Sequence, residues 1–280
     1  MDKFELHLPV ESEQQNAISL LKDNCNLSIA ELKTAINKGA LWLTTGKTTK
    51  RFRRVKKALK PSDTIHFYYD KDVLQQTTDD AILLADYHDF SLWFKPFGML
   101  SQGSKWSEHT TITRFVSQYF ENQRSVFLVH RLDRATTGIM VVTHSKAATR
   151  LFGQLFEKHD LIKTYHALCH HNTLELEKEI VIDSPIDDKA ATSKVALLAY
   201  DKESDYALVE VTIETGRKHQ IRKHLASIGM PIVGDRLHGI ATNNTEQDLQ
   251  LCAVRLAFTS PIDEQLVDIN LPGNLKPTII

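Results

Sequence analysis

The chain has 280 residues, 42% of them hydrophobic, with 34 Lys and Arg against 35 Asp and Glu. This length and apolar content indicate a globular protein with room for one large domain and one small domain. The formal charge of -1 selects no class of partner, and no apolar run approaches the ~18 residues of a membrane helix.

The N-terminal stretch carries no apolar run of the kind that a signal peptide needs. We therefore expect a cytoplasmic protein. Three widely spaced cysteines, Cys25, Cys169 and Cys252, give neither a disulfide framework nor a zinc knuckle. We expect them to be buried and reduced.

Residues 1–72 are predicted to form a small module. Ser28 to Glu31 fits a helix capping box, the apolar residues that follow lie on one helical face, and Gly39 can end that helix. Leu41 to Leu43 and the aromatic run from Ile65 to Tyr69 are typical of strands. Residues 73–87 are predicted to be a linker.

A basic run lies inside this module. Between Lys47 and Lys60, eight of fourteen residues are Lys or Arg and none is acidic, so the rest of the chain has 26 basic residues against 35 acidic ones. A solvated charged surface is the simpler interpretation. The alternative is an RNA dock, because short helices, strands and a basic connection resemble the alpha-L RNA-binding domain of a small-subunit ribosomal protein. The resemblance implies RNA contacts from Lys47, Arg51, Arg53, Arg54, Lys56 and Lys57.

Residues 88–280 are predicted to form an α+β domain whose mixed sheet is mostly antiparallel. Short apolar strands alternate with turns. They are Ser91 to Phe94, Val126 to His130, Ile139 to Thr143, Thr164 to Cys169, Tyr206 to Ile213 and Leu251 to Phe258. Two amphipathic helices interrupt them, one starting at Ser145 and one that contains Ile221 and Leu225.

A polar turn between two of these strands holds Asp133, flanked by Arg131 and Arg134 and followed by Gly138. An Asp between two arginines is most often a surface ion pair, but functional sites are commonly built at strand ends. From these residues alone, both interpretations stay open.

Four ordered motifs extend the pattern. They are Lys95-Pro96-Phe97-Gly98, His130-Arg131-Leu132-Asp133-Arg134-Ala135-Thr136-Thr137-Gly138, Ile162 to Leu168, and Thr215 to His224 continuing to Asp235. Together they resemble the RluA-type family of RNA pseudouridine synthases, which usually has Ser at the position of Thr137. Lys218 stands where Thr is common, and Leu237-His238-Gly239 replaces a usual Tyr-Gly.

The resemblance implies an isomerase that needs no cofactor or metal. It makes Asp133 the catalytic nucleophile, pairs it with Arg222, and makes Tyr165 the residue that stacks on the uracil or acts as a base. Arg131 resembles the residue that aids base flipping, although a phosphate contact would use the same guanidinium. It also implies substrate contacts from Arg134, His219 and Gln220.

Structured RNA is the expected partner, with ribosomal RNA favoured over transfer RNA because the small module suits a large folded RNA, and a monomer is expected. Two other classes stay open: a catalytically inactive RNA-binding protein on the same scaffold, and a hydrolase that pairs Asp133 with Asp235. A phosphate loop is excluded because Leu41 stands where its first Gly would be. His170-His171 and the pair His219 and His224 lack a metal-site spacing.

Overall fold

The computed structural model describes residues 2–13, 16–171, 173–175, 178–240 and 247–279. The chain forms two compact units: the first comprises Met1–Thr78 and Gln102–Phe115, the second Asp79–Ser101 and Val116–Ile280. The sequence prediction assigned all of residues 88–280 to one module. In the structure the segment Gln102–Phe115 packs with the first unit instead, where its Glu108 pairs with Arg51 and Arg53.

The first unit is a four-stranded antiparallel sheet in the order β1-β4-β2-β3 with three short helices. Its elements are β1 (Lys3–Pro9), α1 (Ala17–Lys22), α2 (Ile29–Asn37), β2 (Leu41–Thr45), β3 (Thr48–Arg51), β4 (Thr64–Asp70) and α3 (Lys71–Gln75). Helix α2 begins as predicted, because the Ser28 hydroxyl accepts from the Glu31 amide while the Glu31 carboxylate accepts from the Ser28 amide.

The second unit is built on a ten-stranded mixed sheet in which eight strands follow the order β10-β11-β12-β9-β13-β8-β6-β5, with β14 on β13 and β7 on β8. The strands are β5 (Ile82–Asp86), β6 (Phe90–Lys95), β7 (Phe127–Leu128), β8 (Thr137–Thr143), β9 (Leu161–His170), β10 (Glu179–Asp183), β11 (Thr192–Asp201), β12 (Tyr206–Ile213), β13 (Leu251–Thr259) and β14 (Leu266–Asn270). Among the described strands only β8 and β13 pair in parallel, which confirms the predicted mostly antiparallel α+β class.

The described residues contain three further α-helices and one short 3-10 helix: α4 (Ile112–Tyr119), α5 (Lys146–Lys158), α6 (Gln220–Ser227) and the 3-10 turn Gly273–Leu275. In the second unit, α5 covers the sheet and buries Phe152 against Phe90 and Phe258, with ring centroids 4.8 and 5.5 Å away. These aromatic rings give the unit a large apolar core. In the described part of the chain, no helix is long and apolar enough to cross a bilayer.

Gly138 brings the loop that holds Asp133 against the middle of the sheet. Its φ is +115°, and a Cβ there would lie within 3.0 Å of backbone atoms of Ala253. Strand β8 can therefore approach β13 this closely only with Gly at this position.

Two smaller predictions need correction. The predicted strand Val126 to His130 pairs only at Phe127–Leu128, because the His130 ring stacks on Phe156 and its Nε2 accepts from the Val141 amide. Cys169 and Cys252 are buried thiols, but Cys25 is only half-buried, next to the core of the first unit.

Candidate active site

The loop before β8 fixes Asp133 between two anchored neighbours. Leu132 is 7% exposed, its amide donates to the Ser101 hydroxyl over 3.1 Å, and that hydroxyl donates to the Leu132 carbonyl over 2.6 Å. On the other side, the Arg134 carbonyl accepts from the Gly98 amide over 3.0 Å. The backbone of Asp133 is therefore held in place, while its side chain stays one-third exposed.

Lys95 provides a second anchor for this loop. Its side chain is fully buried, and its amine donates to the carbonyls of Pro96, Met99 and Arg134 over 3.1, 2.9 and 3.3 Å. Burial lowers the pKa of Lys95 to about 7, and the charge of Asp133 opposes that shift. The Lys-Pro-Phe-Gly motif thus helps to hold the Asp133 loop in position.

The Asp133 carboxylate lines a cavity of about 90 Å³. Its walls come from the loop before β8, from β9, from the end of β12 with the start of α6, and from the start of β13. The lining residues are Arg131, Leu132, Asp133, Thr136, Tyr165, Ile213, Gly216, Arg217, His219, Gln220, Ile221, Arg222 and Leu251. Three motifs that are distant in sequence therefore meet at one pocket.

Arg222 connects two carboxylates. Its Nε and Nη2 donate to Asp235 over 2.7 and 2.6 Å, and its Nη1 lies 3.5 Å from Oδ2 of Asp133. The predicted pairing with Asp133 is therefore the longer of two contacts, because Asp235, whose side chain is fully buried, holds the guanidinium by two hydrogen bonds. Burial lowers the pKa of Arg222, but the hydrogen bonds and the negative charge of Asp235 outweigh this effect and raise that pKa above its usual value.

Both nearby donors approach the same carboxylate oxygen. His219 Nε2 lies 3.6 Å from Oδ2 of Asp133, the oxygen that also faces Arg222. Both contacts therefore involve Oδ2 of the carboxylate rather than Oδ1.

Tyr165 lies on β9 between Val211 of β12 and Ala253 of β13 and is 9% exposed. Burial raises the pKa of its phenol above the usual range, and the charge of Asp133 raises it further. The ring is therefore a neutral apolar wall of the pocket, which suits stacking on a base.

Gln220 lines the pocket, but the protein itself uses its amide. The side-chain oxygen accepts from the Thr215 hydroxyl and the Arg217 amide, and the nitrogen donates to the Thr192 carbonyl and the Ser193 hydroxyl. Those four bonds fill the capacity of a carboxamide. The predicted substrate contact is thus replaced by a structural one that shapes the turn before α6.

Arg217 was quoted in the motif but was not predicted to be a site residue. Its side chain lines the pocket, and its Nε donates to the Ala190 carbonyl over 3.0 Å. The predicted residues Arg131 and Arg134 are exposed on either side of Asp133. Arg131 lines the first cavity, and Arg134 lines a second cavity of about 270 Å³ that shares Asp133, His219 and Arg222.

The basic run of the first unit divides into two groups. Arg51 pairs with Glu108 over 2.7 Å and donates to the Gly39 and Ser104 carbonyls, and Arg53 also pairs with Glu108. Lys47, Arg54, Lys56 and Lys57 are exposed. The six RNA contacts stay a prediction, and Glu108 partly neutralises two of these residues, Arg51 and Arg53.

Within the described residues, no group of three or more His, Cys, Asp and Glu is arranged to hold a metal ion. Of the histidines considered in the sequence, His224 is 1% exposed and its two ring nitrogens lie 2.9 Å from the Ser193 hydroxyl and the Ser184 carbonyl. It holds α6 against neighbouring segments.

The loop that holds Asp133 lies beside a mixed, mostly antiparallel sheet, and comparisons with known proteins identify the class of this architecture. The family model described as RNA pseudouridylate synthase matches residues 89–227. A tRNA pseudouridine synthase C from Vibrio cholerae is 32% identical over 205 residues, which cover 61% of this chain and 82% of that protein. An uncharacterized RNA pseudouridine synthase from Helicobacter pylori is 26% identical and covers 89% of this chain and 84% of its own.

Among solved structures, the human RNA pseudouridylate synthase domain containing 1 has the same fold, with a TM-score of 0.59 and 20% identity over 70% of this chain and 85% of that one. The chain belongs to the RluA-type family of RNA pseudouridine synthases. It is therefore an isomerase, as predicted from its motifs.

Proposed function

We propose that Asp133 is the nucleophile with which this enzyme converts uridine to pseudouridine in a structured RNA. One observation carries the proposal: Asp133 is held at the pocket by an anchored loop, with its Oδ2 facing Arg222 at 3.5 Å and His219 at 3.6 Å. The pocket also contains the Tyr165 ring.

The reaction breaks the bond between N1 of uracil and C1′ of ribose and makes a bond between C5 and C1′. In the process C5 loses its proton and N1 gains one. Something must hold the intermediate while the base turns. A carboxylate can add to C1′, add to C6, or take a ribose proton on a glycal route. All three routes need an ionised Asp133, and the positively charged Arg222 lies beside it, with its Nη1 3.5 Å from Oδ2.

The geometry further supports Oδ1 as the reacting oxygen, because Oδ2 faces both Arg222 and His219. Tyr165 supports the base by stacking, since its raised pKa disfavours the phenolate that proton abstraction would need. Of the two open roles for Tyr165, we therefore propose stacking.

Arg131 is proposed to assist base flipping or to bind the flanking phosphate, and Arg134 to bind RNA on the other side of Asp133. Their exposure next to the pocket supports both roles. Flipping costs a few kcal/mol of stacking and pairing, which a side chain inserted into the stack offsets in part.

The hydrolase alternative lacks its second acid. Asp235 accepts two hydrogen bonds from Arg222 and two from the Leu237 and His238 amides, each of the last two 3.0 Å long. A carboxylate with four bonded donors and a fully buried side chain cannot activate water. Pseudouridine formation by the wild-type protein would exclude the inactive RNA-binding alternative.

Two RNA classes each have one supporting observation. Ribosomal RNA, the first candidate, is favoured by the separate basic unit with its exposed Lys47, Arg54, Lys56 and Lys57. Transfer RNA is favoured by the name of the Vibrio cholerae relative, a tRNA pseudouridine synthase C. The expected monomer stays a prediction that light scattering would test.

The deciding experiment maps pseudouridines in total RNA from cells with and without the gene. We expect that deletion of the gene removes a pseudouridine from ribosomal RNA. The wild-type gene should restore that pseudouridine, and a gene encoding Asp133→Asn should not. Loss in transfer RNA alone would reject the ribosomal preference. An unchanged map would contradict the cellular activity itself.

A further inference from the structure

A second histidine lies behind the one that faces Asp133. His238 Nε2 is 2.9 Å from Nδ1 of His219, and the two rings meet edge to face with centroids 5.1 Å apart. The other nitrogen of His219, Nε2, points to Asp133. Asp133, His219 and His238 thus form a chain, and His238 stands where the family pattern usually has Tyr.

The proton positions in this row of three side chains follow from the carboxylate of Asp133 at its end. His219 Nε2 lies 3.6 Å from the Asp133 carboxylate, and an ionised carboxylate can only accept, so its charge favours the tautomer with the proton on Nε2. A neutral imidazole has one N–H, which leaves Nδ1 of His219 as an acceptor. His238 Nε2 must then be the donor in the 2.9 Å contact.

Several charges decide whether His219 is neutral. Burial lowers its pKa, Asp133 raises it, and Arg222, His238 and Lys218 lower it, with a net shift downward. Asp187 also faces this histidine, and its own carboxylate pairs with Lys223. The surroundings of His219 therefore favour its neutral form at pH 7, and this is the form that carries only one ring proton.

The backbone holds His238 in this position. Its amide donates to Oδ1 of Asp235, and the Gly239 amide donates to the Asp235 carbonyl over 2.9 Å. A Cβ at Gly239 would lie within 3.0 Å of that carbonyl, so the turn is too tight for other residues. Asp235 thus fixes Arg222 with its carboxylate and His238 through the same turn.

From this geometry we infer that His238 is a positioning residue of the active site: it donates to Nδ1 of His219 and thereby fixes the tautomer in which His219 Nε2–H faces Asp133. The inference rests on the proposed role of Asp133. It assigns His238 no contact with the RNA, and it adds a function for a residue at which this chain departs from its family pattern.

Nitrogen NMR of the intact enzyme at pH 7.5 tests the tautomer directly. Long-range correlations should show His219 with a protonated Nε2 and an unprotonated Nδ1. A protonated Nδ1, or protons on both nitrogens, would overturn the inference. This readout does not depend on activity, so it stands apart from any failure of the Asp133 proposal.

Two matched variants test the role in the reaction. His238→Gln keeps a donor at a similar reach, whereas His238→Met has similar length without a donor. We expect His238→Met to lower kcat roughly 10- to 100-fold, the size of a lost hydrogen bond in a network that includes a charged group, here Asp133. KM should stay within about twofold of wild type. The acid limb of the pH profile of kcat should shift. His238→Gln should restore most of the loss.

A control variant in the same unit is His171→Gln, because His171 pairs with Asp205 on the surface and does not line the pocket. It should change neither the His219 resonances nor kcat. Equal kcat values for His238→Met and His238→Gln, both folded by circular dichroism, would show that the donor has no role and would overturn the inference.

Discussion

Replacing Asp235 with Asn changes one atom of a buried ion pair. The side-chain oxygen can still accept from the Leu237 and His238 amides, which lie 3.0 Å from Oδ1. The new NH₂ group replaces Oδ2 and faces Arg222 Nε, which now donates to that atom over 2.7 Å. Two donors then oppose each other, and the buried guanidinium loses its nearest negative charge.

Breaking a buried pair from one side costs about 3–5 kcal/mol. Because Asp133 remains 3.5 Å from Arg222 and compensates part of the charge, we expect a loss near the lower limit, about 3 kcal/mol in the free energy of unfolding. The activity should fall as well, since Arg222 is then no longer held beside Asp133.

The chain contains a matched control. Arg255 donates to Asp268 over 2.9 and 2.7 Å in the same two-bond geometry, but the two side chains are 38% and 39% exposed. Asp268→Asn should therefore cost only about 0–1 kcal/mol and leave activity unchanged. Urea unfolding of both variants, with kcat measured on the same RNA, makes the comparison. Equal losses for the two variants, or full activity of Asp235→Asn, would refute the reasoning.

Three further outcomes are expected. Gly138→Ala should destabilise the second unit by about 3 kcal/mol or more, whereas Gly153→Ala, in open space within α5, should stabilise it by about 0.5–1 kcal/mol; thermal unfolding compares them. Burial lowers the pKa of His130 to about 3, so the free energy of unfolding should fall as the pH drops from about 6.5 towards 3. His130→Gln should flatten this pH dependence in urea titrations. An unchanged pH dependence in the variant would contradict the assignment. Arg54→Ala should reduce the salt slope of RNA binding by about 1, and an unchanged slope would remove Arg54 from the interface.

Local patterns in the sequence predicted much of the fold. The apolar runs predicted β6, β8, β9, β12 and β13, and the Ser28–Glu31 capping box predicted the start of α2. No strand was predicted at β1, β3, β5 or β11, nor at β10 and β14. The last two, β10 and β14, show one reason. They are five residues long, and Val181 and Leu266 on them are 57% and 76% exposed, so their pattern is not that of a half-buried strand.

The site was predicted less completely, because several contacts join residues far apart in sequence. The motifs predicted Asp133, Tyr165 and Arg222, which do line one pocket. No local pattern shows that Glu108 binds Arg53, 55 positions earlier. Nor does one show that the Gln220 amide bonds to Thr192 and Ser193, so its predicted substrate contact came from the motif alone.

The nucleophile assignment for Asp133 has one direct measurement: product formation by Asp133→Asn with an RNA that the wild-type enzyme modifies. Asn keeps the size of the side chain but removes the ionised oxygen that all three routes need. We expect RNA affinity within about tenfold of wild type, since the phosphate contacts remain, and no pseudouridine. Pseudouridine formed by a folded Asp133→Asn enzyme would contradict the assignment.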